Sequence, residues 1–136
     1  MKIKLDKGAF IPERAHRQDA GLDIKTPVDF TVKAHDSYTV DTGVHIEIPY
    51  GYVGLLMSKS GLNVKYGITS EGVIDSGYSN SIRAKLYNNS NSDYYFAAGD
   101  KITQLVVVPV MLDEIEVVDE IYRGERGEKG FGSTGR

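Results

Sequence analysis

The sequence predicts an all-β protein of the barrel, jelly-roll or sandwich kind, with at most one short helix. Apolar residues recur with period two along most of the chain, and clusters of turn-forming residues separate these runs. No window sustains a helical stripe beyond about three turns.

In chain order, Val28, Phe30 and Val32 alternate with Asp29, Thr31 and Lys33, the pattern of a strand with one buried face. Val44, Ile46 and Ile48 repeat it against His45 and Glu47, and Pro49-Tyr50-Gly51 then turns the chain. Residues Ser60–Tyr66 are the best short-helix candidate, with Ser60 expected as the cap. Ile82, Ala84 and Leu86 alternate with Arg83 and Lys85; Asn88-Asn89-Ser90-Asn91 and Ala98-Gly99-Asp100 supply further turns. The apolar run within residues 102–110 lacks alternation but is rich in β-branched residues, which predicts a central strand buried on both faces. Residues 1–122 are therefore expected to form one barrel domain. Residues 123–136, RGERGEKGFGSTGR, are polar and glycine-rich, with Phe131 their one large apolar side chain, and read as a flexible C-terminal arm.

A chain of 136 residues fits one domain with one core. Its 40% hydrophobic and 26% charged content is that of a globular protein, not a disordered one. A formal net charge of −3 argues against direct nucleic-acid binding through a basic face, yet leaves room for a small phosphorylated ligand. The absence of cysteine excludes disulfides and thiolate metal sites and accords with a cytoplasmic location. MKIKLDKGAF is charged and alternating, unlike a signal peptide, and the apolar run at residues 105–112 is interrupted by proline and far too short to span a membrane.

Several segments carry candidate chemistry. Ser58-Lys59-Ser60-Gly61-Leu62 puts a cation, a hydroxyl and a glycine ahead of the short helix, where backbone amides and Lys59 hold an anion, or where a capped turn simply bears a surface lysine. In Gly72-Val73-Ile74-Asp75-Ser76-Gly77-Tyr78, Asp75 follows strand-like sequence at a rim. It is placed either to take a proton from water or to accept bonds from the next amides in an Asx-turn. Tyr78 is either a functional ring or a core aromatic. Asp19 and Asp23 offer carboxylates at a strand edge, facing a cation's water shell or solvent. In the tail, Phe131 between two glycines and ahead of Ser133-Thr134 suits a base and a phosphate chain, against the alternative of a frayed terminus.

Taken in order, AGLDI (20–24), SKSGLN (58–63), GVIDSGY (72–78), GDKITQL (99–105) and RGEKGFGSTG (126–135) resemble the five ordered motifs of the trimeric dUTP pyrophosphatase family. The likeness runs from about Ala20 to the C-terminus, and GVIDSGY and GFGSTG are its specific parts. It implies a jelly-roll-like β-barrel and a homotrimer with active sites shared between subunits. It also implies hydrolysis of dUTP to dUMP and pyrophosphate by water attack on the α-phosphorus, which keeps uracil out of DNA and supplies dUMP for thymidylate synthesis. Asp75 matches the general base and Tyr78 the residue under the deoxyribose. A hairpin from Thr69 to Arg83, including Val73 and Ile74, matches the uracil pocket. Lys59, Ser60 and Gly61 match the phosphate grip; Gln104 and Asp23 match positions near the triphosphate and the water shell of Mg2+, for which no direct protein ligand is implied. Arg126, Phe131, Gly132, Ser133 and Thr134 match a lid that closes over bound nucleotide.

Some residues depart from the family pattern. Lys59 stands where arginine is usual, giving up the bidentate fork while keeping charge. Thr69 replaces an asparagine beside the uracil, Asn80 a glycine after Tyr78, and Lys129 a glycine in the tail. Arg123-Gly124-Glu125 half-repeats Arg126-Gly127-Glu128, and the fixed distance to GFGSTG favours Arg126. Two other readings remain: nucleotide-gated binding of a regulatory protein partner, with Tyr94-Tyr95-Phe96 as an exposed patch or a subunit-interface strand, and the related deoxycytidine triphosphate deaminases, against which GVIDSGY and GFGSTG speak.

Overall fold

A computed structural model describes residues 1–122. Among them, β1 (Ile3–Leu5), β2 (Leu22–Lys25), β3 (Phe30–Val32), β4 (Ser37–Asp41), β5 (Val44–Ile46) and β6 (Tyr52–Met57) precede one helix, α1 (Ser60–Tyr66). Then follow β7 (Ile68–Ile74), β8 (Arg83–Asn88), β9 (Tyr94–Phe96) and β10 (Lys101–Pro109). A six-stranded sheet in the order β2-β10-β6-β7-β8-β4 is accompanied by the two-stranded pairs β1-β5 and β3-β9. All pairings are antiparallel, and the strands curl into a half-barrel of the jelly-roll kind.

Alternation places the core. Ala84 and Leu86 of β8 point inward and are fully buried, while Arg83 and Lys85 point out. One apolar cluster joins Leu22, Ile24, Val44, Ile46, Leu56, Ile74 and Leu105; a second joins Phe30, Val32, Ile68, Leu86, Phe96 and Ile102. At about 1.5–3 kcal/mol for each large side chain fully buried, these two clusters drive the fold.

Three expectations are corrected. Val28 is 48% exposed. Thr26 Oγ1 donates to the Val28 carbonyl at 2.7 Å and accepts from its N–H at 3.2 Å, and this local turn delays the strand to Phe30. The helix spans the expected residues, but Lys59 occupies its N-cap position with no capping side chain, and Ser60 is the first helical residue. The strand β10 is central, and Ile102, Thr103 and Leu105 are buried on its two faces; Val106, Val107 and Val108 are only half-buried. It ends at Pro109, which has no N–H to continue a ladder. Residues 110–122 then run on without helix or strand, their apolar residues uncovered: Ile115 is 94% and Val117 95% exposed.

Candidate active site

β7 is the element that shapes the site. Along one edge it pairs with β6 through its upper half, from Glu71 opposite Met57 to Ile74 opposite Gly54. Along the other edge it pairs with β8 only at Ile68, Thr69 and Ser70, opposite Asn88, Tyr87 and Leu86. Above that point β8 keeps only its ladder with β4, on its far edge, up to Arg83 opposite Asp41. The β7–β8 hairpin therefore splays, and the facing backbone edges of residues 71–74 and 83–85 are left without a strand partner among the described residues. Unpaired backbone donors and acceptors seek another polar partner.

At the tip of this opening the chain turns sharply. The Tyr78 N–H donates to the Asp75 carbonyl at 3.1 Å, and Gly77 sits at φ +89°, the left-handed position a type II turn requires. The Asp75 carboxylate is exposed, and none of the side-chain hydrogen bonds among the described residues engages it. An Asx-turn would have tied it to the following amides, so the geometry leaves this acid available. Tyr78 is 38% exposed and donates its hydroxyl to the Ser81 carbonyl at 3.1 Å. Beside the turn lies a cavity of about 320 Å³, walled by Gly77, Tyr78 and Ser79 on one side and by Lys2, Lys4 and His45 on the other. Val73 is 63% exposed, whereas the Ile74 side chain is in the core, so only its backbone can meet a ligand. Arg83 is exposed, with its Nε 3.9 Å from Asp41 Oδ2. Thr69 accepts from Asn89 Nδ2 at 3.2 Å.

The cationic segment is built at the other end of the same ladder. Ser58 Oγ accepts from the Ser70 N–H at 2.9 Å and donates to its carbonyl at 3.0 Å, clipping the start of this segment to β7. Gln104 Nε2 donates to the Ser58 carbonyl at 3.0 Å. Gly21 permits this: a Cβ there would lie 2.2 Å from Gln104 Oε1. Asp23 is 5% exposed and is gripped by two ammoniums, Lys59 at one oxygen and Lys101 Nζ at the other at 2.8 Å. Burial pushes the Asp23 carboxyl up, but the hydrogen bonds and charges of Lys101 and Lys59 outweigh this and hold it below the usual carboxylate value. The Lys101 ammonium is correspondingly stabilised, chiefly by its hydrogen bond to Asp23. Ser60 and Gly61 open α1, where the first amides have no intrahelical acceptor.

The sequence segments at residues 20–24, 58–63 and 99–105 thus meet, but Asp75 is not with them. The β6–β7 register would set Lys59 level with position 69, six residues from Asp75, or roughly 20 Å along the ladder at about 3.3 Å per residue. Among the described residues no three His, Asp or Glu side chains converge as a metal ligand set. Lys101 and the hydroxyl pair Ser70–Thr103, in which Ser70 Oγ donates to Thr103 Oγ1 and Thr103 Oγ1 to the Met57 carbonyl, were not singled out in the sequence; their partners lie far away along it, so no local signal marks them. Arg126, Phe131, Gly132, Ser133 and Thr134 lie outside the described residues. Tyr94-Tyr95-Phe96 forms no exposed patch: Phe96 is 1% exposed and Tyr94 packs on the core, leaving Tyr95 bonded to Asp29.

Residues 7–135 match the dUTPase family model. The chain is 38% identical to a deoxyuridine 5'-triphosphate nucleotidohydrolase of Clostridium acetobutylicum, over 99% of this chain and 96% of that protein. It is 41% identical to that of Paramecium bursaria Chlorella virus 1, over 97% and 94%. Among solved structures, the Staphylococcus bacteriophage 80alpha dUTPase with dUPNHPP superposes with a TM-score of 0.93 at 33% identity, covering 99% of this chain and 98% of that one. A variant of the dUTPase of S. aureus phage phi11, which coordinates a structural Mg(II) ion, gives 0.83 at 30% identity, covering 88% and 97%.

Proposed function

The chain belongs to the dUTPase family, and from that premise we propose that it hydrolyses dUTP to dUMP and pyrophosphate, with Asp75 as the general base. The observation that carries the reading is the splayed β7–β8 hairpin with an unengaged carboxylate at its tip. A uracil edge entering the opening is met by backbone groups of residues 71–74 and 83–85. Cytosine presents an amino donor where uracil presents a carbonyl, and fixed backbone donors reject it because groups are left unpaired. Thymine's methyl group is excluded by lack of room, and Tyr78 under the sugar leaves no space for a ribose 2′-hydroxyl. Asp75 takes a proton from a water as that water's oxygen bonds to the α-phosphorus. The bond from the α-phosphorus to the bridging oxygen breaks, and pyrophosphate leaves.

The phosphates are gripped by Lys59 and the opening of α1, Ser60 and Gly61, with Gln104 beside them. Since the register puts Lys59 roughly 20 Å and Gln104 roughly 13 Å along the ladder from Asp75 within one chain, they are supplied by a neighbouring copy. The reading is therefore of a homotrimer with shared sites. It is supported by the half-buried Val106 and Val108 on β10, and by the uncovered apolar residues after Pro109. Arg126, Phe131, Gly132, Ser133 and Thr134 belong to the arm that closes the site. Magnesium, when bound, neutralises and shapes the triphosphate. The donor set fits an ion held mainly by phosphate oxygens and water, with Asp23 and Gln104 bordering its water shell, since both Asp23 oxygens already face lysines. No helix among the described residues is long and apolar enough to cross a membrane, and the cysteine-free composition fits a cytoplasmic place of work.

The test is pyrophosphate release from dUTP, dCTP, dTTP and UTP with magnesium, on protein whose mass is measured by sedimentation. Selective turnover of dUTP by a species of three chains is expected. Ammonia release from dCTP, equal turnover of UTP, or full activity in a monomer would each overturn the corresponding part.

A further inference from the structure

The turn that presents Asp75 is weakly tied. Within residues 76–80 the described hydrogen bonds stay local, Tyr78 N–H to the Asp75 carbonyl and Tyr78 Oη to the Ser81 carbonyl, with one exception. His45, on β5 with its side chain 17% exposed, has Nδ1 2.8 Å from the Ser79 carbonyl oxygen and Nε2 3.0 Å from Asp6 Oδ2. Asp6 is itself fixed to the barrel, its N–H donating to the Gly43 carbonyl at 2.9 Å. A carbonyl and an ionised carboxylate only accept hydrogen bonds, so both ring nitrogens must carry protons.

We infer that His45 is a positioning residue for the proposed hydrolysis: as an imidazolium it bridges the Ser79 carbonyl and the Asp6 carboxylate and thereby holds the turn that carries Asp75 and Tyr78. This rests on the hydrolytic reading above. The charged groups around the ring are Lys4 and Asp6 from β1 and the loop after it, and Asp41 from the end of β4. Lys2 and Glu47 share the rim of the same cavity. The hydrogen bonds to the Ser79 carbonyl and to Asp6 raise the His45 pKa above its ordinary value, against desolvation and the charge of Lys4. A raised folded value means the clamp is whole below the ordinary histidine value and is lost as pH rises through the folded one. A neutral ring keeps one proton, and the charge-assisted bond to Asp6 retains it. The link that breaks is therefore the one to Ser79, and the turn is released.

The experiment uses the full chain with magnesium and dUTP. It compares kcat and KM against pH for wild type, His45→Ala, His45→Asn and Asp6→Asn, alongside an NMR titration of the His45 ring in wild type and Asp6→Asn. Asparagine places an amide donor where Nδ1 was and does not titrate. His45→Ala is expected to lower kcat about tenfold with a smaller change in KM, the equivalent of one charged hydrogen bond, and His45→Asn to recover most of it. The ratio of wild-type to His45→Asn kcat should fall as pH rises through the His45 pKa. Base and substrate ionisations cancel in that ratio. The ring should titrate above its ordinary value in wild type and nearer to it in Asp6→Asn. A ratio constant from about pH 6 to 9, or a wild-type ring that titrates at or below the ordinary value near 6.5, would overturn the inference while leaving the base assignment standing. Absence of dUTP turnover in wild type would sink the hydrolytic reading instead. The ring titration in wild type still decides the clamp if the variants fail to fold.

Discussion

Replacing Gly61 by alanine separates what the fold needs from what the substrate needs. Gly61 is the second residue of α1, its φ lies outside the left-handed region, and a Cβ built on it meets no atom within 4 Å. Nothing among the described residues therefore asks for glycine here. Alanine is the better helix former, so the substitution should leave stability unchanged or raise it by up to about 1 kcal/mol. Its amide is one of the helix-opening donors without an intrahelical acceptor. If a phosphate oxygen approaches that amide, an added methyl group blocks it. A charge-assisted hydrogen bond of about 1.5–3 kcal/mol then goes unmade, which raises KM for dUTP roughly tenfold to a hundredfold. Urea denaturation and initial rates of pyrophosphate release read the two effects. Unchanged KM would refute the phosphate role, and a clear loss of stability would refute the claim that the space is open.

The contrasting substitution is Gly54→Ala, whose Cβ would lie 3.0 Å from Leu105 Cδ1 and 3.2 Å from both Ile48 Cδ1 and Ile74 Cβ. Overpacking there should cost about 1–3 kcal/mol, seen as a lower urea midpoint; an unchanged midpoint would contradict the packing described. Asp23, whose folded pKa lies below its unfolded value, stabilises the protein above the ordinary carboxyl value near 3.9, and this is lost as pH falls through the folded value. Between about pH 5 and 3 the wild-type midpoint should therefore drop more steeply than that of Asp23→Asn; parallel curves would show that the lysine pairs contribute nothing.

Much of the fold was legible because its signals are local. The alternation at residues 82–86 and 44–48 named the inward side chains, and the helix ran over the residues its pattern marked. What failed was also local competition: the Thr26 hydroxyl took the backbone of Val28 out of the strand, and Lys59 rather than Ser60 fell at the cap. Asp75 could be singled out as an acid at a rim, but its lack of a partner among the described residues could not. The splay of the hairpin depends on β8 staying paired with β4 along its far edge after its pairing with β7 has ended, and β4 and β8 lie more than 40 residues apart in the sequence. In the same way, Asp23 facing two lysines, and His45 bridging Asp6 to Ser79, are products of tertiary closure. The tail motif, read from its ring, hydroxyls and glycines as suiting a base and a phosphate chain, lies outside the described residues.

Most directly at stake is whether the carboxylate at position 75 activates the attacking water. Asp75→Asn keeps the shape of the turn and removes the base. The account predicts that this variant binds a nonhydrolysable dUTP analogue within a few-fold of wild type while its turnover of dUTP falls by about 10²–10⁴. Turnover within tenfold of wild type, with binding intact, would contradict it.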